Sequence, residues 1–253
     1  MTAPKLCVDH VSKSYEVDGR LVQILQDISL TVWPEEFVTL LGPSASGKST
    51  LFNIIVGLEE PDEGTIRLDG GVVKRRTGHV AYMPQKDLLL PWRTVLDNVI
   101  LGPEIAGVDR EEATRQAREL IPLFGLDGFE NSYPSALSGG MRQRAALLRT
   151  FLYQKDLLLL DEPFGALDAL TRMELQEWLL EVWEQFKHTI LFITHDVDEA
   201  IFLSDRVYVM TPRPGRIRDV VVVELGRPRR RAMENTLEFI RLRERLLSIL
   251  RGD

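Results

Sequence analysis

The nine residues Gly42-Pro43-Ser44-Ala45-Ser46-Gly47-Lys48-Ser49-Thr50 have the types and spacing of a loop that holds phosphate. They follow an apolar run, Phe37 to Leu41, and open a helical pattern from Ser49 to Val56. That strand-to-helix setting gives the G-x-x-x-x-G-K-S/T spacing a chemical meaning. Loop N–H groups and the positive end of the following helix would cradle a β-phosphate, and Lys48 would sit as a point charge against the β and γ oxygens. The Ser49 hydroxyl would coordinate Mg²⁺, and Thr50 would face the α-phosphate.

A phosphate-loop hydrolase also needs acids at the end of a neighbouring strand. Leu157 to Leu160 is an apolar run that ends in Asp161-Glu162. Asp161 suits a role on Mg²⁺ through its water shell. Glu162 is placed to polarise an attacking water as general base. His195 follows the apolar run Ile190 to Ile193, again at a strand end, where an imidazole would bond the γ-phosphate and fix the line of attack. Gln85 follows the run His79 to Met83, and its amide reaches Mg²⁺ or the water only if that strand lies beside the phosphate-loop strand.

The elements that must position these groups are legible in part. Leu6–Val11, Leu21–Leu25, Ile28–Val32 and Thr65–Leu68 read as short strands in a strand-rich opening third. From Leu88 to Tyr153 the pattern turns helical, with apolar residues at three- and four-residue spacing over Glu111–Phe124 and Gly139–Tyr153. Leu157–Leu160, Thr189–Ile193 and Val207–Met210 then alternate with helical patterns at Ala169–Phe186 and Val197–Leu203, the signature of a parallel sheet covered by helices. The expected class is α/β.

Composition narrows the function. At 253 residues, with 44% hydrophobic and 27% charged side chains, the chain reads as a globular protein of one large or two small domains. Its 31 basic and 38 acidic residues leave a net charge of −7, which argues against a general nucleic-acid binder. One cysteine, Cys7, excludes an internal disulfide and a cysteine-based zinc site. No apolar run approaches the roughly 18 residues of a membrane span, and the first ten residues lack a signal-peptide core. The tail from Arg213 to Arg251 holds 11 arginines against 5 acidic residues, an excess of six that leaves −13 for the rest of the −7 total. Such a tail suits acidic lipid or a partner, but Thr236 to Leu250 also reads as an amphipathic helix docked on its own domain.

Leu137-Ser138-Gly139-Gly140-Met141-Arg142-Gln143-Arg144 precedes the strand that ends in Asp161-Glu162, and here the sequence resembles the ATP-binding subunits of ABC transporters. The resemblance runs from Leu6 to about Ile217. It implies a P-loop ATPase core with an N-terminal antiparallel β subdomain and an inserted helical subdomain at about 87–152. The ATP-binding domain would span 1–225, followed by a basic helical tail over 226–253. Ser138, Gly139 and Gly140 match the family's signature loop, which opens a helix and makes a second anion site. Gly165-Ala166-Leu167-Asp168 looks like its D-loop, Gln85 like its Q-loop glutamine, acting on Mg²⁺ and the water, and His195 like its switch histidine. Tyr15 falls where the adenine-stacking aromatic stands. Two departures are Ala45, at a position often glycine and strained only if its φ is positive, and Met141 in place of the commoner glutamine.

The resemblance further implies ATP and Mg²⁺ as ligands and a head-to-tail pair of identical chains, in which Ser138, Gly139, Gly140 and Asp168 of one copy close on the ATP of the other. It implies permease partners, an extracytoplasmic solute-binding protein as an indirect partner, and a peripheral place on the cytoplasmic face of the membrane. Leu90-Pro91-Trp92-Arg93-Thr94-Val95-Leu96-Asp97-Asn98-Val99 and Thr211-Pro212-Arg213-Pro214-Gly215-Arg216-Ile217 look like the importer branch that serves nitrate, sulfonate, taurine and thiamine-pyrimidine-precursor uptake. The alternatives are a soluble ABC-type ATPase acting on nucleic acid or the ribosome, a non-hydrolysing nucleotide sensor, and an exporter ATPase. The acidic body and single cassette weigh against the first, Glu162 and His195 against the second, and the outer motifs against the third.

Overall fold

The computed structural model describes residues 3–73 and 75–252. Along the chain run β1 (Leu6–Val17), β2 (Arg20–Val32), β3 (Phe37–Leu41), α1 (Lys48–Val56), β4 (Glu63–Leu68), β5 (Gly71–Val72) and β6 (Ala81–Met83). Four helices follow, α2 (Val95–Val99), α3 (Leu101–Ile105), α4 (Arg110–Leu120) and α5 (Gly139–Leu152). The chain then passes through β7 (Leu157–Asp161), α6 (Ala169–Phe186), β8 (Thr189–Thr194), α7 (Val197–Leu203), β9 (Arg206–Met210), β10 (Ile217–Val222) and α8 (Leu237–Arg251). It divides into two compact units, one of residues up to Val80 together with those from Trp183 onward, the other of Ala81–Val182.

In the first unit an antiparallel sheet has the order β2-β1-β4-β5. Its long hairpin turns at Asp18-Gly19, both at positive φ, which matches the right-handed twist of the two strands. The runs 21–25 and 28–32, separate by alternation, are one strand, because Asp27 at φ +54 interrupts the period without ending the pairing. His10, also at φ +54, does the same in β1 between Val8 and Val11, and further register shifts between Val11 and Ser14 accompany the break after Val11 in the sequence pattern.

The second sheet of this unit has β3 between β8 and β9, both parallel to it, with β10 antiparallel on β9. Every residue of β3 and β8 is buried, as expected of strands covered on both faces. Phe37 anchors the core, with ring centroids 6.0 Å from Trp183 and 5.9 Å from Phe192. Truncating such a ring costs about 3–5 kcal/mol. The first amide of β3, Phe37 N–H, donates to the Asp205 carboxylate at 3.0 Å, which fixes where the strand begins.

In the second unit β6 and β7 pair in parallel, and α5 packs on β6. Phe124 joins the helices, 5.5 Å from Phe151 and 4.9 Å from Trp178 in edge-on contacts. The Trp178 indole N–H donates to Leu123 O at 2.9 Å, so this ring is buried with its polar atom satisfied.

Candidate active site

The residues singled out from the sequence fall into two sets, one in each unit. In the first unit, β3 delivers the loop Gly42–Gly47 to the start of α1. A Cβ at Gly42 would lie 3.0 Å from Met210 Cβ, so the close approach of β9 demands glycine there. Gly47 has φ +98, and a Cβ on it would meet Leu25 Cδ2 at 2.7 Å. Ala45 has φ +63, so it adopts the left-handed conformation in which an alanine is strained by about 1–2 kcal/mol.

Helix α1 has Gly47 as N-cap, no capping side chain and no acidic residue in its first turn. Its leading N–H groups are therefore left for an anion rather than consumed by a cap. Lys48 is buried and its Nζ donates to Gly42 O and Pro43 O, each at 2.9 Å, which folds the ammonium over the loop. Ser44, Ala45 and Ser49 are exposed, Pro43 and Thr50 half-buried. Ser46 Oγ is buried with no hydrogen-bond partner among the described residues. These features fit a phosphate chain.

His195 is exposed and directly follows β8. Leu41 pairs with Thr194 in register, and Gly42 N–H donates to Thr194 O at 3.3 Å, so the phosphate loop and the histidine leave the same carboxyl edge of the sheet. That edge is where open α/β sheets bind ligands. Asp196 caps α7, accepting from Asp198 N–H and Glu199 N–H. Tyr15, half-buried in β1, bonds Glu59 through its hydroxyl and lies beside Thr50. Burial first and Glu59 second push its phenol up to about 12.

In the second unit, Asp161 ends β7 buried, while Glu162 follows half-buried at φ +43. A glutamate held in that region signals a position over-determined by its surroundings. Gln85 Nε2 stands 3.5 Å from Glu162 Oε2, at the limit of a hydrogen bond. The structure thus brings Gln85, Asp161 and Glu162 to the shared end of β6 and β7. Sequence reasoning missed Tyr82. It pairs with Leu159, two residues before Asp161 on the same strand face, and its phenol bonds the Asp161 carboxylate. Burial first, then Asp161, raise that phenol above its ordinary 10. Its place three residues before Gln85 was the available signal.

Ser138 caps α5, with Met141 N–H donating to its Oγ at 3.2 Å, and no acidic residue occupies the first turn. A Cβ at Gly140 would crowd Thr171 Cγ2 at 3.0 Å, and one at Gly139 would reach Leu167 at 3.5 Å. Asp168 is exposed and accepts from Thr171 N–H at 3.1 Å. That bond to the charged form holds its carboxyl below the ordinary 3.8.

Among the described residues no group of three or more His, Cys, Asp or Glu side chains could hold a metal ion.

Residues 25–165 match the family described as ABC transporter. The chain is 44% identical to a formylaminopyrimidine import ATP-binding protein of Halalkalibacterium halodurans, over 100% of this chain and 97% of that one. It is also 44% identical to a taurine import ATP-binding protein of Rhizobium johnstonii, over 97% of this chain and 96% of that one. Among solved structures it resembles a dimeric ATP-binding cassette in a post-hydrolysis state bound to ADP and phosphate, with a TM-score of 0.76 and 28% identity, covering 87% of this chain and 100% of that one.

Proposed function

This chain belongs to the ABC transporter family, and we propose that it is the ATP-hydrolysing subunit of an importer for a small sulfonate, taurine or pyrimidine-precursor solute. The observation that carries the nucleotide part is the uncapped start of α1 behind Gly42 and Gly47, whose leading N–H groups a bound phosphate would satisfy. The importer part rests on likeness along nearly the whole chain to proteins named for import of such solutes.

In this proposal Gly42 to Thr50 wraps the phosphates, Lys48 neutralises the β and γ oxygens, and Tyr15 stacks on adenine. Ser49 and Asp161 hold Mg²⁺, assisted by Gln85, and Tyr82 orients the Asp161 carboxylate. Bound by these residues, the metal would supply charge neutralisation to the phosphates. Glu162 takes the proton of the attacking water, and His195 holds the γ-phosphate in line. Two copies sandwich two ATP molecules, with Ser138, Gly139, Gly140 and Asp168 of one copy closing on the nucleotide of the other. Closure and reopening of that pair drive the attached permease. Among the described residues no helix is long and apolar enough to cross a membrane. The likeness to import ATP-binding proteins supports a separate permease chain as partner and a peripheral place for this subunit on the cytoplasmic face.

The test is purification of tagged Glu162→Gln from detergent-solubilised cells with ATP present. A multi-spanning permease should copurify, and mass spectrometry of an associated binding protein should identify its solute. Recovery of ribosomal or DNA-repair components alone would overturn the importer assignment.

A further inference from the structure

Of the two sequence readings of the arginine-rich tail, a surface for lipid or a partner and a helix docked on its own domain, the structure shows the second. Arg229 is buried, and its Nη1 donates to three carbonyls at the end of α7, Ile201 O at 2.8 Å, Phe202 O at 3.2 Å and Ser204 O at 2.5 Å. Arg227 donates to Leu203 O at 2.9 Å and to Asp205 at 2.7 Å. Asp205 in turn receives the Phe37 N–H that begins β3. Arg231 stacks on the Phe202 ring at 4.0 Å. From α8, Arg243 bonds Asp198 in the first turn of α7, and Phe239 and Leu246 are fully buried.

Helix α7 is therefore gripped at both ends by the tail. Its leading end is also the end that matters for chemistry. Asp196 caps it, Thr194 Oγ1 accepts from Asp196 N–H at 3.0 Å, and His195 lies between these two fixed residues. The helix is a single rigid piece about 10 Å long at 1.5 Å per residue. A shift of its far end is consequently passed to the histidine, and misplacement by an ångström is enough to matter in catalysis.

We infer that the tail is a positioning element for His195: Arg229 anchors the carboxyl end of α7 and Arg243 its first turn, which together set where the imidazole stands at the edge of the phosphate loop. Burial and the adjacent Arg227 charge lower the Arg229 guanidinium to about 10, so it remains charged at neutral pH and donates to those carbonyls throughout the working range. The catalytic consequence rests on the role proposed above for His195.

The experiment compares full-length Arg229→Gln, Arg243→Gln and Arg230→Gln, the last an exposed tail arginine whose loss changes the charge equally. Arg229→Gln should lower kcat on the order of tenfold to a hundredfold with the KM for ATP within about twofold, Arg243→Gln should move the same way by less, and Arg230→Gln should do neither. Imidazole NMR signals give a second readout independent of turnover. The His195 signal should shift in the first two variants while His10 and His79 stay fixed. Arg229→Lys, which keeps the charge and a donor, should restore part of both. If Arg229→Gln does not fold, Arg243→Gln, at a half-exposed site, carries the same readouts. Equal effects of Arg229→Gln and Arg230→Gln, or an unmoved His195 signal in folded variants, would overturn the inference. Wild-type turnover in His195→Ala would defeat the catalytic role of that histidine alone, and the NMR comparison would still decide the positioning.

Discussion

Ala45 and Glu162 are ordinary residues held in left-handed backbone, and both stand where the chemistry is placed. Relief of strain at Ala45 should outweigh the added chain entropy of glycine, so Ala45→Gly is expected to raise stability by at most about 1 kcal/mol in urea titrations, with nucleotide affinity unchanged. Gly47→Ala is the opposite case. Its Cβ would meet Leu25 at 2.7 Å, so a lower melting temperature and loss of ATP binding are expected together. Glu162→Gln should reduce phosphate release on the order of 10²–10⁴-fold while ATP still binds, a result that radiolabelled nucleotide filtration would check. At this scale the sequence was most legible where chemistry dictates the residue type, as at Lys48, Asp161 and Glu162. Asp205 and Arg229 were not legible, because each acts through a partner from 25 to 168 positions away, and nothing local in the sequence marks such a meeting; Tyr82, which meets Asp161 across a strand pair, was marked only by its nearness to Gln85.

At the scale of elements, the proposed function draws on three helix starts, those of α1, α5 and α7, and they are built differently. The first has no side-chain cap, while the others are capped by Ser138 and Asp196. Ser138→Ala should therefore cost about 1 kcal/mol as a lost cap and lower turnover, with ATP binding to the isolated chain unaffected, as calorimetry would show. Asp168 makes a comparable bond to Thr171 N–H, and its depressed pKa gives a sign. Its contribution is present above the ordinary value of 3.8 and is lost as the pH falls through the lower folded value, so Asp168→Asn should flatten acid unfolding in that window. Buried strands such as Phe37–Leu41 were visible as continuous apolar runs. The hairpin of β1 and β2 was read as fragments because bulges at His10 and Asp27 reset the two-residue period. The tail helix was visible as amphipathic, but not its target, since arginine spacing does not say whether the guanidinium groups meet lipid or the carbonyls of α7.

For the whole molecule the decisive property is association. In the proposed mechanism the loop that opens α5 and the loop that opens α1 are two halves of an anion site, which two-fold pairing of identical chains would satisfy at once. The solved cassette it resembles is dimeric and holds ADP and phosphate. Removal of Mg²⁺ by chelation should suppress hydrolysis in the wild-type protein and leave the fold intact by circular dichroism. The most direct test of the account is the mass of purified Glu162→Gln by light scattering with saturating Mg-ATP and after ATP removal. A dimer that retains two ATP and falls to monomer when nucleotide is withdrawn is the expected result, with Ser138→Ala in the same background shifting it back toward monomer. A monomer under saturating Mg-ATP, with nucleotide bound, would contradict the shared-site mechanism.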